Sequence, residues 1–271
     1  MKYISILVII FSCQTMWAQE KHTHKHQADN EPLMKIYPVL FQQTSAEYRA
    51  LCYQAFNIAK VSLDQMLKDY KGKQKPAIVT DLDETIIDNS YIEASLIKAG
   101  RTYGPGDWKK WVDMAAATAV PGAIDFLKYA KSKGVTIFYI SNRDTGAVNA
   151  TLKNLVKLDI PDAKRENLLF LAGVSSKESR REKVESEYDI IMLLGDNLND
   201  FTTAFEKRPI SDRFLETDKA REQWGTRFIV LPNATYGEWE SAVIDYKKGL
   251  TPMQKDSLRR DKLITPCCIK D

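Results

Sequence analysis

Ile78 to Asn89 read IVTDLDETIIDN: a short apolar, β-leaning run breaks into three carboxylates, Asp81, Asp83 and Glu84, and Asp88 follows one helical turn later. Pro76 ends the preceding charged stretch, so AIVT (77–80) is predicted as a buried strand with the acids at its C-terminal end. Negative charge crowded at the mouth of a buried strand is unfavourable unless a cation answers it.

Working outward, four more short β-branched or aromatic runs recur: VTIFYI (135–140), NLLFLA (167–172), DIIMLL (189–194) and TRFIVL (226–231). Helix-length amphipathic or charged segments separate them, at 121–133, 145–158 and 176–187. That alternation predicts an α/β fold, a Rossmann-like three-layer arrangement with helices on both faces of a parallel sheet. Upstream, residues 45–70 carry apolar side chains at helical spacing and predict one long helix. The segment 88–120, rich in Gly, Trp and small residues, contains no such strand and reads as a small, mostly helical cap inserted after the first strand. The domain reading is a signal segment (1–18), a polar leader (19–36), one α/β domain with its N-terminal helix and the cap insertion (37–250) and a C-terminal tail (251–271).

In open α/β sheets the ligand site lies beyond the carboxyl ends of the strands. The second strand ends in Ser141-Asn142-Arg143, the fourth in GDNLNDF with Asp196 and Asp200, and SSKESRR with Lys177 follows the third. Both acidic clusters should therefore converge. Oxygen-only ligation without His or Cys points to Mg²⁺, which keeps several waters and leaves room for a phosphate oxygen. A carboxylate is also a competent nucleophile toward phosphorus. A second carboxyl two residues on can protonate the leaving alcohol, while Ser141 and Lys177 bind the transferring phosphoryl group. Alone, a DxD pair is more often a cap or turn, and a lone Ser or Lys a helix cap or surface residue. Four such features in this order at successive strand ends are hard to obtain by accident.

With those residues in view, the chain resembles the haloacid-dehalogenase superfamily, and more narrowly the class C bacterial acid phosphatases of the surface-lipoprotein 5′-nucleotidase type. DLDETIIDNS and LLGDNLNDF resemble its two acidic signatures. EYRALCYQAFNIAKVSLD, DWKKWVD, AVPGAIDFL and LPNATYGEWE resemble further segments in the same order, covering about residues 45 to 245. The resemblance implies Asp81 as nucleophile and Asp83 as general acid/base. Asp81, the Asp83 carbonyl and Asp196 would hold Mg²⁺, with Asp200 supporting the metal shell. Ser141 and Lys177 keep their phosphate-binding roles, Asn142 and Arg143 are substrate-binding candidates, and Trp108 and Tyr236 fall where aromatics stack on a leaving group. Trp111 shares the Trp108 helix face, so the two can exchange roles. The expected activity is hydrolysis of phosphomonoesters, nucleoside 5′-monophosphates first, with an acidic optimum. A broad sugar or aryl phosphatase, a phosphotransferase, and a surface ligand-binding protein are the alternatives.

Composition fits this reading. The 271 residues are 44% hydrophobic and 28% charged, with 39 basic against 36 acidic side chains and a net charge of +3, so no nucleic-acid polymer is indicated as partner. The N-terminal MKYISILVIIFSC has a single Lys and an apolar run the size of a signal-peptide core, too short to span a bilayer. Cleavage before a lipidated Cys13 and cleavage after Ala18 both remain open. Either implies export, to the periplasm or the outer membrane surface, with a lipid anchor in the first case. His22, His24 and His26 lie just beyond, so the body of the chain contains no His and its catalysis must run without the commonest general base. They read as a solvated tether or a loose metal site. Cys52 is a candidate partner for Cys267 or Cys268, although free thiols are the simpler reading, and a homodimer is a further expectation.

Overall fold

The structure, a computed structural model, describes residues 31–266; Cys13 and both cleavage points, the three histidines, Cys267 and Cys268 lie outside the described residues. The chain enters through α1 (Glu31–Met34), α2 (Ile36–Thr44) and α3 (Ala46–Lys68), and the first strand, β1, is Lys75–Thr80. An excursion follows, made of β2 (Ile87–Asp88), α4 (Ser90–Lys98), α5 (Pro105–Met114) and β3 (Thr118–Ala119). Then come α6 (Ala123–Ser132), β4 (Thr136–Asp144), α7 (Val148–Lys157), β5 (Leu168–Leu171), α8 (Glu178–Glu185) and β6 (Tyr188–Gly195). The remaining elements are α9 (Ile210–Lys219), β7 (Phe228–Val230), α10 (Glu238–Val243) and α11 (Pro252–Asp261).

Five strands form one parallel sheet in the order β5-β4-β1-β6-β7. β1 lies at its centre and is apolar on both faces. Ile78 joins the larger core, with Leu63 of α3, Leu127 of α6 and Leu155 of α7. Ala77 and Val79 join the opposite one, with Val184 of α8 and Phe201. β6 divides the same way, Met192 and Leu194 to one side, Ile190 and Leu193 to the other. A strand with no polar face can only sit between two helical layers, and this places the carboxylates that follow β1 and β6 side by side.

Ser45 caps α3, its hydroxyl accepting the Tyr48 N–H at 3.0 Å. The stripe Tyr48, Cys52, Phe56, Ala59 and Leu63 is buried along one face of that helix. Two helices lie upstream of it, in a stretch read partly as polar leader. Glu31 of α1 pairs with Lys255 at 2.9 Å and Arg259 at 3.3 Å of α11, so the first and last described helices are tied to each other. The 88–120 excursion does contain strand: its two ends zip together as Ile87 opposite Ala119 and Asp88 opposite Thr118. That antiparallel pair is the neck of the cap, and α4 and α5 are its body. Among the described residues no helix is long and apolar enough to cross a membrane.

Candidate active site

After β1 the chain continues through β4 and then β5 on one side, and only later returns to lay β6 on the other side of β1. The connections leaving β1 and β6 diverge at this switch point, which opens a crevice above their carboxyl ends. Asp81 and Asp196 are the first residues beyond those two strands. Carboxylate oxygens of Asp81, Asp196 and Asp200 lie within 4.8 Å of one another. Asp200 reaches this point because the chain turns back over Gly195: its Oδ2 accepts the Asn197 N–H at 3.1 Å. A Cβ on Gly195 would meet Asp200 Oδ2 at 2.4 Å, so the close approach requires glycine.

Lys177, at the start of α8, is buried against this cluster, its ammonium donating to Asp81 Oδ1 and lying 2.7 Å from Asp200 Oδ1. Burial works against its charge, but Asp200 and Asp81 outweigh that and push its pKa above the usual lysine value. Burial pushes Asp81 up to about 7; Lys177 opposes this, and Asp200 and Asp83 add to it. Asp196 is raised well above the ordinary carboxylate range, again by burial first and then by Asp200 and Asp81. Thr85 Oγ1 donates to Asp196 Oδ1 at 3.2 Å and Asn233 Nδ2 to its Oδ2 at 2.7 Å, which fixes the carboxylate's direction. Two buried acids and one half-buried acid converge on a single lysine, so their charged forms are unfavourable together without a further cation. An all-oxygen donor set of this kind fits a hard divalent cation.

Asp83 is held differently. The Arg143 guanidinium forks onto it, with Nη2 at 2.7 Å from Oδ1 and Nε at 3.1 Å from both oxygens. Ser141 Oγ donates weakly to Asp83 Oδ2 at 3.4 Å and accepts the Arg143 N–H at 3.1 Å. Sequence reasoning set Arg143 among substrate-binding residues. Arg143 does line the cleft, and its donors go to Asp83, Thr151 and Asn89, because β4 runs on to Asp144 and carries it inward. Asn142 faces the cleft, its Oδ1 accepting from Arg180 Nη2 at 2.6 Å. Arg180 also donates to the Ser141, Ser175 and Ser176 carbonyls, stitching the loop that carries Lys177 to the end of β4.

Above these groups lies a cavity of about 460 Å³, within the range of small-molecule sites. Asp81, Asp83, Lys177, Asp196 and Asp200 form its floor, and Trp108, Tyr103, Ile92 and Tyr236 are among its walls. Trp108 lines the cleft and packs over Arg143, 5.2 Å from ring centroid to guanidinium, whereas Trp111 one turn on is buried. Their exchange of roles is thus resolved by which side of α5 faces the cleft. Tyr236 touches the cavity too, but its hydroxyl donates to Glu84. Glu84 sits at φ 60, a left-handed conformation unusual for a side chain of this size, and is 1% exposed. Burial, then Asp83, pushes it up to about 8.

Lys35, Tyr103 and Asn89 are among the cleft residues that escaped sequence reasoning. Lys35 lies in what reads as polar leader, yet pairs with Glu93 at 3.0 Å and sits 5.9 Å over the Tyr236 ring. Tyr103 reaches the wall from the loop between α4 and α5. Asn89 sits within the acidic motif itself but carries no charge to advertise a role. A buried amide beside two carboxylates was the only available signal.

A family model described as HAD superfamily, subfamily IIIB (Acid phosphatase), matches residues 9–239. The class C acid phosphatase from Bacillus anthracis is 42% identical, over 87% of this chain and 99% of that one, with a TM-score of 0.83. The structure of that enzyme with tungstate bound is likewise 42% identical, over 88% and 99%, with a TM-score of 0.84.

Proposed function

The chain belongs to subfamily IIIB of the HAD superfamily, the acid phosphatases, and from that premise we propose that it hydrolyses nucleoside 5′-monophosphates with Mg²⁺ through an aspartyl-phosphate. The observation that carries the reading is the pairing of two unlike carboxyls on one cavity floor. Asp81 is held by Lys177 and faces Asp196 and Asp200, whereas Asp83 is gripped by Arg143. Two acids two residues apart, with different partners, suit two roles: attack on phosphorus by Asp81, and proton transfer to and from the ester oxygen by Asp83. Lys177, from the opposite side, offsets charge on the phosphoryl oxygens. Ser141, fully buried beneath the cleft, steadies Asp83 through its hydroxyl, and its role toward the phosphate belongs to this reading.

HAD phosphatases use a divalent metal, and in this chain Asp81, Asp196 and Asp200 would hold it, Mg²⁺ supplying charge neutralisation at the phosphoryl group. The Bacillus anthracis enzyme has been solved with tungstate, a tetrahedral oxyanion, bound, which supports reading this chain as one that takes a phosphoryl-type oxyanion. For the leaving group, Trp108 and Tyr103 pack together at the cavity wall, with centroids 6.3 Å apart and planes tilted by 49°, and offer aromatic surface on which a nucleobase could stack. Export belongs to the same proposal, supported by the apolar run before Cys13 and the two cleavage readings.

Phosphate release from AMP, an aryl phosphate and a sugar phosphate, at mildly acidic pH with Mg²⁺ and then EDTA, tests it. Metal-dependent release fastest on AMP is expected; release from the aryl ester but not AMP removes the nucleotidase. Asp81→Asn should abolish turnover, and more than about a tenth of normal activity would remove Asp81 as nucleophile.

A further inference from the structure

Asn89 follows the cap's first neck strand and is 1% exposed. Every polar valence of its side chain is used. Nδ2 donates to Asp83 Oδ1 at 2.8 Å and to Glu84 Oε2 at 3.3 Å. Oδ1 accepts from Trp111 Nε1 at 2.8 Å and from Arg143 Nη2 at 3.3 Å. The amide's direction is not ambiguous, because indole and guanidinium can only donate, so the oxygen must face them and the NH₂ the carboxyls. Its backbone N–H also donates to Glu84 Oε1 at 2.8 Å.

Trp111 belongs to α5, inside the cap, where its ring stacks on Tyr91 of α4 with centroids 6.1 Å apart. Arg143 belongs to β4 and Asp83 to the loop after β1. One amide therefore joins the cap body to a carboxyl on the sheet, across the neck about which a cap would shift.

We propose that Asn89 is a positioning residue: through Trp111 its amide registers the seating of α5, and through Nδ2 it aligns Asp83 with the oxygen that departs from the substrate. This rests on reading Asp83 as the general acid. In that step the Asp81 Oδ–P bond forms and the P–O ester bond breaks, and the Asp83 proton passes to the leaving oxygen, leaving Asp83 as carboxylate. Arg143 supplies the fork that grips Asp83, and Asn89 sets the angle at which Asp83 stands.

A role in proton delivery shows in which esters suffer. Leaving groups of high basicity need the proton, while an activated aryl oxide departs without it. The measurement is kcat/KM, which reports steps up to formation of the aspartyl-phosphate, for wild type, Asn89→Ala, Trp111→Phe, and Asp83→Asn. The substrates are alkyl and aryl phosphates of graded leaving-group basicity. Asn89→Ala should lose about 30-fold or more on alkyl esters but under about threefold on the most activated aryl ester. Trp111→Phe, which keeps the ring and loses only the N–H, should show the same slope more weakly. Uniform losses across the series, or none, in a folded Asn89→Ala variant would overturn the proposal while Asp83→Asn still showed the slope. A flat Asp83→Asn series would remove the acid assignment itself, and this proposal with it.

Discussion

At Gly195 a single hydrogen separates a working cluster from a broken one. The alanine Cβ would lie 2.4 Å from Asp200 Oδ2 and 2.5 Å from Asp200 Cβ, so Asp200 must retreat and Lys177 loses its 2.7 Å partner. Gly195→Ala should lower stability by about 1–3 kcal/mol, read as a fall in Tm, and raise the Mg²⁺ concentration needed for half-maximal turnover. An unchanged metal titration would show that Asp200 is dispensable to the metal shell. The acids themselves were legible because covalent neighbours bring them together: Asp81 with Asp83, and Asp196 with Asp200 through the GDNLND turn. Ser141 and Lys177 were legible as polar groups at strand ends. The partners that set the behaviour of these groups were not, since the Arg143–Asp83 fork spans 60 positions and the Tyr236–Glu84 contact spans 152. Nothing local in the sequence separates a Tyr that stacks through its face from one whose hydroxyl is also spoken for.

Among elements, α5 is the most informative, because one turn of helix separates a cleft residue from a core residue. Trp108→Ala should raise KM for AMP by about tenfold, from stacking worth about 1–3 kcal/mol per base, with little change for a small sugar phosphate. Trp111→Ala should instead cost stability, on the order of 3–5 kcal/mol as for other buried aromatic truncations, and melting curves separate the two. Equal KM effects on both substrates would show that Trp108 packs rather than recognises. The period of α5 marks both tryptophans as one stripe, and only the curvature of the cap over the floor shows which one meets the cleft. The neck strands were invisible for a simpler reason: two residues carry no alternation to read. The sheet strands were plain, being apolar on both faces. The docking of α1 was hidden because the Lys255 that pairs with Glu31 lies 224 positions away, so a charged leader looked solvated.

Across the whole molecule, burial of acids in one crevice couples folding to pH. Asp81 rises from 3.8 to about 7 and Glu84 from 4.5 to about 8. Between those limits the folded chain keeps protons that the unfolded chain releases, so stability falls as pH rises through the window. Lys177, raised above its ordinary value, stays charged throughout and adds no slope there. Metal-stripped protein should therefore melt lower at about pH 8 than at about pH 5, by several degrees or more. Added Mg²⁺ should restore more at the higher pH, because its ligands must be deprotonated. A Tm in EDTA that climbs over this range would contradict the crowding of acids. The same crevice has a consequence in time. β1 pairs with β6, so Ile78 meets Met192, and Asp81 lacks Asp196 and Asp200 until the strand ending at Gly195 is in place. A ribosome that has completed β1, the cap, β4 and β5 has made a scaffold with half its catalytic floor and an open central edge. Hydrolysis switches on only with the late closure that seats β6, and any fragment ending before Asp196 should be inert however well its own helices fold.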